Sequence, residues 1–145
     1  MTQYRNLPQE TALALRDGWL YTGDIGEFDA DGYLYIRDRK KEMAKVSGFN
    51  VFPREIEEVL FMHPAVQEAC VISSRDAYRG ETVKAVVVLR AEHRATAQPE
   101  DIIAWARAHM AAYKSPKIVQ LAHALPKSGS GKVMWRLLQE QEAAA

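Results

Sequence analysis

Residues 82–89 read Thr-Val-Lys-Ala-Val-Val-Val-Leu, a largely apolar run without regular polar alternation. Such a run suits an interior strand, and Val66–Ile72 upstream is a second β-prone segment. Helical signals surround the pair. Pro53 opens a helix over Arg54–Met62, in which Glu55, Glu57 and Glu58 favour the positive N-terminal end and Ile56, Val59 and Leu60 make one apolar stripe. Pro99-Glu100-Asp101 starts another, with Ile102, Ile103, Ala106 and Met110 on its buried side. Ile118–Leu121 is a third extended segment, and Val133–Glu140 a closing helix. From residue 42 onward this alternation predicts a small α+β or α/β sandwich of about 100 residues, a size at which a domain can fold on its own. The tail Ala143–Ala145 is expected to fray.

The preceding residues form a separate piece. Pro8-Gln9-Glu10 followed by Thr11–Leu15 reads as a short helix with Pro8 in its first turn, ended by Asp17-Gly18. Trp19–Tyr21 and Ile25–Phe28 read as strands, and Asp29-Ala30-Asp31-Gly32 as the turn into the strand Tyr33–Ile36. That acidic turn lacks the further oxygen ligand, glycine and acid that a calcium loop needs. The charged run Arg37-Asp38-Arg39-Lys40-Lys41 divides this piece from the rest.

Composition excludes several classes of function. Nineteen basic and nineteen acidic side chains balance, so the chain lacks the basic footprint of a nucleic-acid binder. No apolar run approaches the ~18–20 residues that cross a bilayer. The N-terminal residues carry no apolar signal core, so the expected compartment is the cytoplasm. Cys70 is the only cysteine and lies within Ala69-Cys70-Val71-Ile72, which reads as a buried, inert thiol. His63, His93, His109 and His123 show no zinc-ligand spacing, and no metal site built from protein ligands is expected.

Four short motifs offer chemistry. Pro126-Lys127-Ser128-Gly129-Ser130-Gly131-Lys132 is a low-bulk loop ending in a cation, able to enter a crowded site and neutralise charge on a transferring phosphoryl group. It is not a nucleotide P-loop: Pro126 stands where the first glycine belongs, and Val133 where the magnesium-binding hydroxyl belongs. Tyr21-Thr22-Gly23-Asp24 presents a carboxylate that can accept hydrogen bonds from two hydroxyls at once. Asp38-Arg39-Lys40-Lys41 is a charged run, by itself an ordinary solvated segment. Lys45-Val46-Ser47-Gly48-Phe49-Asn50 is a loop before the Pro53 helix, with Gly48 permitting close backbone approach.

In their order along the chain, with Pro126–Lys132 last, the four motifs resemble the C-terminal portion of an acyl-CoA synthetase of the adenylate-forming, AMP-binding superfamily. The likeness spans residues 4–140. It implies an α+β fold: a small lid domain with a short sheet flanked by helices, preceded by a β-hairpin segment from the end of a large N-terminal domain. Residues 1–38 would belong to that adenylation domain and 39–145 to the mobile lid. The resemblance implies Lys132 as the catalytic cation, Asp24 and Arg39 as nucleotide-binding residues, and Lys41 as the hinge. It likewise implies Ser47, Gly48 and Phe49 as the CoA-binding loop along the pantetheine. Acetylation of Lys132 is a further implication. Ala44 departs from the larger aliphatic common in relatives.

The implied reaction is carboxylate plus ATP to acyl-adenylate, then CoA to acyl-CoA and AMP, with a fatty acid as the expected acid and Mg2+ accompanying ATP. The partner implied is the rest of the parent chain, which holds the phosphate loop, adenine site and acyl pocket, so this segment alone is expected to be inactive. Two alternatives share the motifs: a non-catalytic interaction module with the lid fold, and an adenylating enzyme that loads a carrier protein.

Overall fold

The computed structural model describes residues 1–144. Two compact units divide the chain, Met1–Lys41 and the residues from Glu42 onward.

The first unit holds α1 (Pro8–Ala14), β1 (Leu15–Arg16), β2 (Trp19–Leu20), β3 (Asp24–Phe28) and β4 (Leu34–Arg39). Helix α1 ends one residue before the expected limit, because Leu15 is already extended and pairs with Leu20. Asp17-Gly18 is therefore not a simple helix stop. Both residues have positive φ (50° and 80°), the conformation of a two-residue type I′ turn that joins twisted strands. Strands β3 and β4 form the predicted hairpin. Its turn is tied by Asp29, whose Oδ1 accepts from the backbone N–H groups of Asp31 and Tyr33. These bonds, that of Tyr33 foremost, hold the Asp29 carboxyl below its ordinary range.

The second unit holds β5 (Ala44–Val46), β6 (Phe49–Val51), α2 (Pro53–Phe61), β7 (Val66–Asp76), β8 (Gly80–Leu89), α3 (Pro99–His109), β9 (Ile118–Ala122) and α4 (Trp135–Ala143). Its sheet runs β6-β5-β8-β7, with β9 parallel to β8 from Lys84 to Val88. Four helices and several small sheets among the described residues give an α+β fold.

The reason for the apolar run in β8 lies in its two faces. Val83, Ala85, Val87 and Leu89 pack with Ile56 and Leu60 of α2 and Ile102 and Ala106 of α3. Val86 and Val88 pack on the other face with Cys70, Ile72 and Leu125, against Trp135 and Leu138 at α4. A strand buried on both faces cannot alternate polar and apolar residues. Ile56, Leu60 and Ile102 are fully buried, each contributing roughly 1.5–3 kcal/mol. Cys70 sits in the second cluster, where burial pushes its thiol up to about 12, as an inert core residue.

The expected closing helix starts later and ends later than its sequence signals. Val133 pairs with Lys127 as an isolated bridge, and α4 continues through Ala143 rather than fraying there. Its last turn is pinned: Glu142 Oε2 lies 2.5 Å from Lys84 Nζ, and Ser74 Oγ donates to Glu142 Oε1 at 2.6 Å. Gln139 exchanges bonds with Ser73 beside it. Ala145, part of the same expectation, lies outside the described residues.

Candidate functional site

In the first unit, the antiparallel register of β3 and β4 sets Asp24 opposite Arg39. Arg39 Nε lies 3.1 Å from Asp24 Oδ1. Lys40 N–H donates to the Gly23 carbonyl at 2.9 Å, and Asp24 N–H donates to Thr22 Oγ1 at 3.1 Å, so the strand ends are fixed. The guanidinium is 60% exposed and the carboxylate 24%. A pair this open adds at most about 1 kcal/mol to stability. Chemically it is an acceptor for hydroxyls beside a donor for an anion. Asp24 also borders an open cavity of about 930 Å³, lined with Arg16, Tyr21, Thr22, Lys40 and Lys41 among others. Lys41 is the last residue of this unit. Asp38, which sequence reasoning passed over, is 7% exposed and accepts the Arg39 N–H through its own Oδ1 at 2.6 Å.

The Ser47-Gly48-Phe49 motif, read from sequence as a loop, is the tip of a β-hairpin. Val46 pairs with Phe49, and the intervening Ser47 and Gly48 both have positive φ (51° and 85°), again the type I′ signature. Gly48 meets that demand without strain, and the space where a Cβ would stand is open. The tip is moored to the start of β8. Val46 pairs with Gly80, Ser47 N–H donates to the Arg79 carbonyl at 3.4 Å, and Lys45 N–H to Glu81 Oε2 at 2.6 Å.

Phe49 remains 55% exposed, yet its ring stacks on Tyr113 with centroids 4.6 Å apart. The Tyr113 contact is not readable from sequence, since nothing local in Ala112-Tyr113-Lys114 points to a partner so far back in the chain. Lys114 Nζ sits 2.5 Å from Glu55 Oε2, a bond that raises the lysine above its ordinary range. Arg79 lies beside Asp76, whose carboxyl is held low mainly by the backbone N–H groups of Arg79 and Tyr78.

The Pro126–Lys132 loop is more ordered than its glycines and serines suggest. Ser128 N–H donates to the Lys132 carbonyl at 2.8 Å, Gly131 N–H to the Ser128 carbonyl at 2.9 Å, and Met134 N–H to the Pro126 carbonyl at 2.8 Å. Lys127 pairs with Val133 at the base, and its ammonium reaches Glu68 on β7. Lys132 is exposed.

Both second-unit motifs sit on one sheet, at opposite ends. The Ser47-Gly48 tip attaches where β8 begins at Gly80, opposite Asp76 of β7. The Lys132 loop attaches through Glu68, which is paired with Val88. From Gly80 to Val88 a strand advances roughly 26 Å. Three further side chains make structural contacts: His63 follows α2 and accepts the Ala65 N–H, Trp105 donates to the Val59 carbonyl and stacks on His109, and Trp135 of α4 packs against the cluster around Cys70 and Val86.

Residues 55–132 match the model of the AMP-binding enzyme C-terminal domain. The chain belongs to that family. It is 49% identical over 142 residues to a long-chain-fatty-acid–CoA ligase of Bacillus subtilis (strain 168), covering 98% of this chain and 25% of the relative. It is 46% identical to the corresponding ligase of Yersinia pestis, covering the same shares of each. Among solved structures, ATP-bound MatB from Rhodopseudomonas palustris superposes with a TM-score of 0.87 at 35% identity, over 96% of this chain and 27% of that one. The chain thus spans about a quarter of the length of the curated relatives it matches. Among the described residues, no helix is long and apolar enough to cross a membrane.

Proposed function

We propose that this chain is the C-terminal portion of an AMP-forming acyl-CoA synthetase whose acid substrate is a fatty acid. The observation that carries the reading is the placement of Lys132 and the Ser47-Gly48-Phe49 tip at opposite ends of one sheet. In the first half-reaction the carboxylate oxygen attacks the α-phosphorus of ATP and pyrophosphate leaves. The Lys132 ammonium meets the carboxylate and the charge growing on phosphorus. Asp24 accepts hydrogen bonds from the ribose hydroxyls, and Arg39 beside it donates to ribose or phosphate. Mg2+ travels with ATP, and no residue of this segment is assigned to hold it.

In the second half-reaction the CoA sulfur attacks the adenylate carbonyl and AMP leaves. The Ser47-Gly48 turn and the Phe49 ring line the path of the pantetheine, with Gly48 allowing the chain close to the backbone. Elements attached roughly 26 Å apart along one strand are read as serving the two half-reactions in turn rather than together. In this reading the segment from residue 39 onward acts as a lid that reorients about Lys41, the last residue of the first compact unit, while residues 1–38 close the adenylation domain. The relatives named as fatty-acid–CoA ligases and the ATP-bound neighbour support this reading. The rest of the parent chain supplies the acyl pocket and phosphate loop, and the setting is cytoplasmic.

The test uses the full-length chain. Lys132→Ala slows pyrophosphate release about 100-fold while thioester formation from supplied acyl-adenylate continues. Equal loss in both half-reactions contradicts the assignment.

A further inference from the structure

We propose that Glu68 is a positioning residue for Lys132, acting through Lys127. The inference rests on the reading of Lys132 above and adds a residue to it.

The backbone of β7 is arranged to make this contact. Ala69 and Val71 face the α2 and α3 core, while Cys70 and Ile72 face the α4 side. Strict alternation would put Glu68 and Val66 together on the α4 side. Val66 instead packs in the α2 and α3 core, fully buried. The register shift between Val66 and Glu68 absorbs the change of parity. Bulges re-aim side chains in this way. Here the bulge keeps Val66 in one core and leaves Glu68 on the face from which the Lys132 loop springs.

On that face the Glu68 carboxylate takes the Lys127 ammonium with both oxygens, at 2.9 Å to Oε1 and 2.8 Å to Oε2. Lys127 is the bridge partner of Val133, and the next residue, Ser128, holds the Lys132 carbonyl through its N–H. A shift at Lys127 therefore passes to Lys132 through two short backbone links. The contact also settles charge. Paired with Glu68, Lys127 does not compete with Lys132 for an anion, although only four residues lie between them in sequence. The side chains are 42% and 27% exposed, so the pair matters little to stability and its effect lies in placement.

Glu68→Gln, Lys127→Met and Lys127→Arg in the full-length chain test this. Glu68→Gln and Lys127→Met lower kcat for pyrophosphate release about tenfold, a loss consistent with a misplaced group. Thioester formation from supplied acyl-adenylate and the thermal midpoint do not change. Lys127→Arg, which keeps the pair, retains most of the activity. Unchanged pyrophosphate release in Glu68→Gln overturns the proposal, as does parallel loss of both half-reactions together with the thermal midpoint. If the unsubstituted chain releases no pyrophosphate with any acid, the functional reading fails instead. Amide exchange then decides the positioning claim without any reaction: Glu68→Gln speeds exchange at the Ser128 N–H severalfold, and an unchanged rate contradicts it.

Discussion

The two ends of the second-unit sheet carry hairpins of opposite character. The tip at Ser47-Gly48 is a two-residue turn whose exposed ring, Phe49, is backed by a second ring, Tyr113. The loop at Ser128–Gly131 is held at its base by Lys127 and Glu68 and ends in an exposed cation. One end offers a narrow, partly apolar edge suited to a thin chain. The other offers a placed positive charge suited to an anion. Both are mounted on the same buried strands, so their separation is fixed by the core, and under the proposed function a change of task requires the whole unit to move.

The largest effect should fall on both ends together. Ile102 is fully buried among α2, α3 and the sheet, and Ile102→Ala should cost about 2–5 kcal/mol, read by denaturant unfolding. Both half-reactions should fall with the folded fraction, since neither end survives without the shared core. A perturbation confined to one end should behave differently. Tyr113→Ala removes the ring behind Phe49, a contact worth about 0.5–1.5 kcal/mol. It should raise KM for CoA in the thioester step and leave pyrophosphate release alone, whereas Tyr113→Phe should retain the stacking and the KM.

Acid should produce the smallest effect, on the side of the sheet that carries α4. The Lys84 bond first, then the Ser74 bond, hold the Glu142 carboxyl below its ordinary value of 4.5. Because the folded value is the lower one, this contribution is complete above 4.5 and disappears as pH falls through the lowered value. Trp135 fluorescence should report a loosening of α4 in that acidic window, and Glu142→Gln should remove the pH dependence.

Much of the fold was legible because it rests on local rules. The β8 run, the proline-initiated helices and the Asp29 turn all announced themselves within a few residues. Two turns were missed for a common reason. Asp17-Gly18 and Ser47-Gly48 each pair a polar residue with glycine, which reads equally as a helix stop or a loop, and only the facing strands reveal a hairpin. Candidate residues could be named where motifs were contiguous, at Asp24, Arg39 and Lys132. Tyr113, Glu68 and Glu142 were not, because their partners Phe49, Lys127 and Lys84 lie far along the chain. The bulge that turns Glu68 toward the loop leaves no local trace in a sequence that alternates imperfectly anyway.

The most direct measurement compares Lys132→Ala with Gly48→Val in the full-length chain, assaying pyrophosphate release and thioester formation from supplied acyl-adenylate for each. Valine at the positive φ of Gly48 strains the turn and adds bulk at its tip, with nothing nearby in the unit to clash against. The account predicts opposite patterns: Lys132→Ala loses pyrophosphate release and keeps thioester formation, while Gly48→Val keeps the first and loses the second. If either substitution abolishes both steps while the protein stays folded, the two ends of the sheet do not divide the reaction between them.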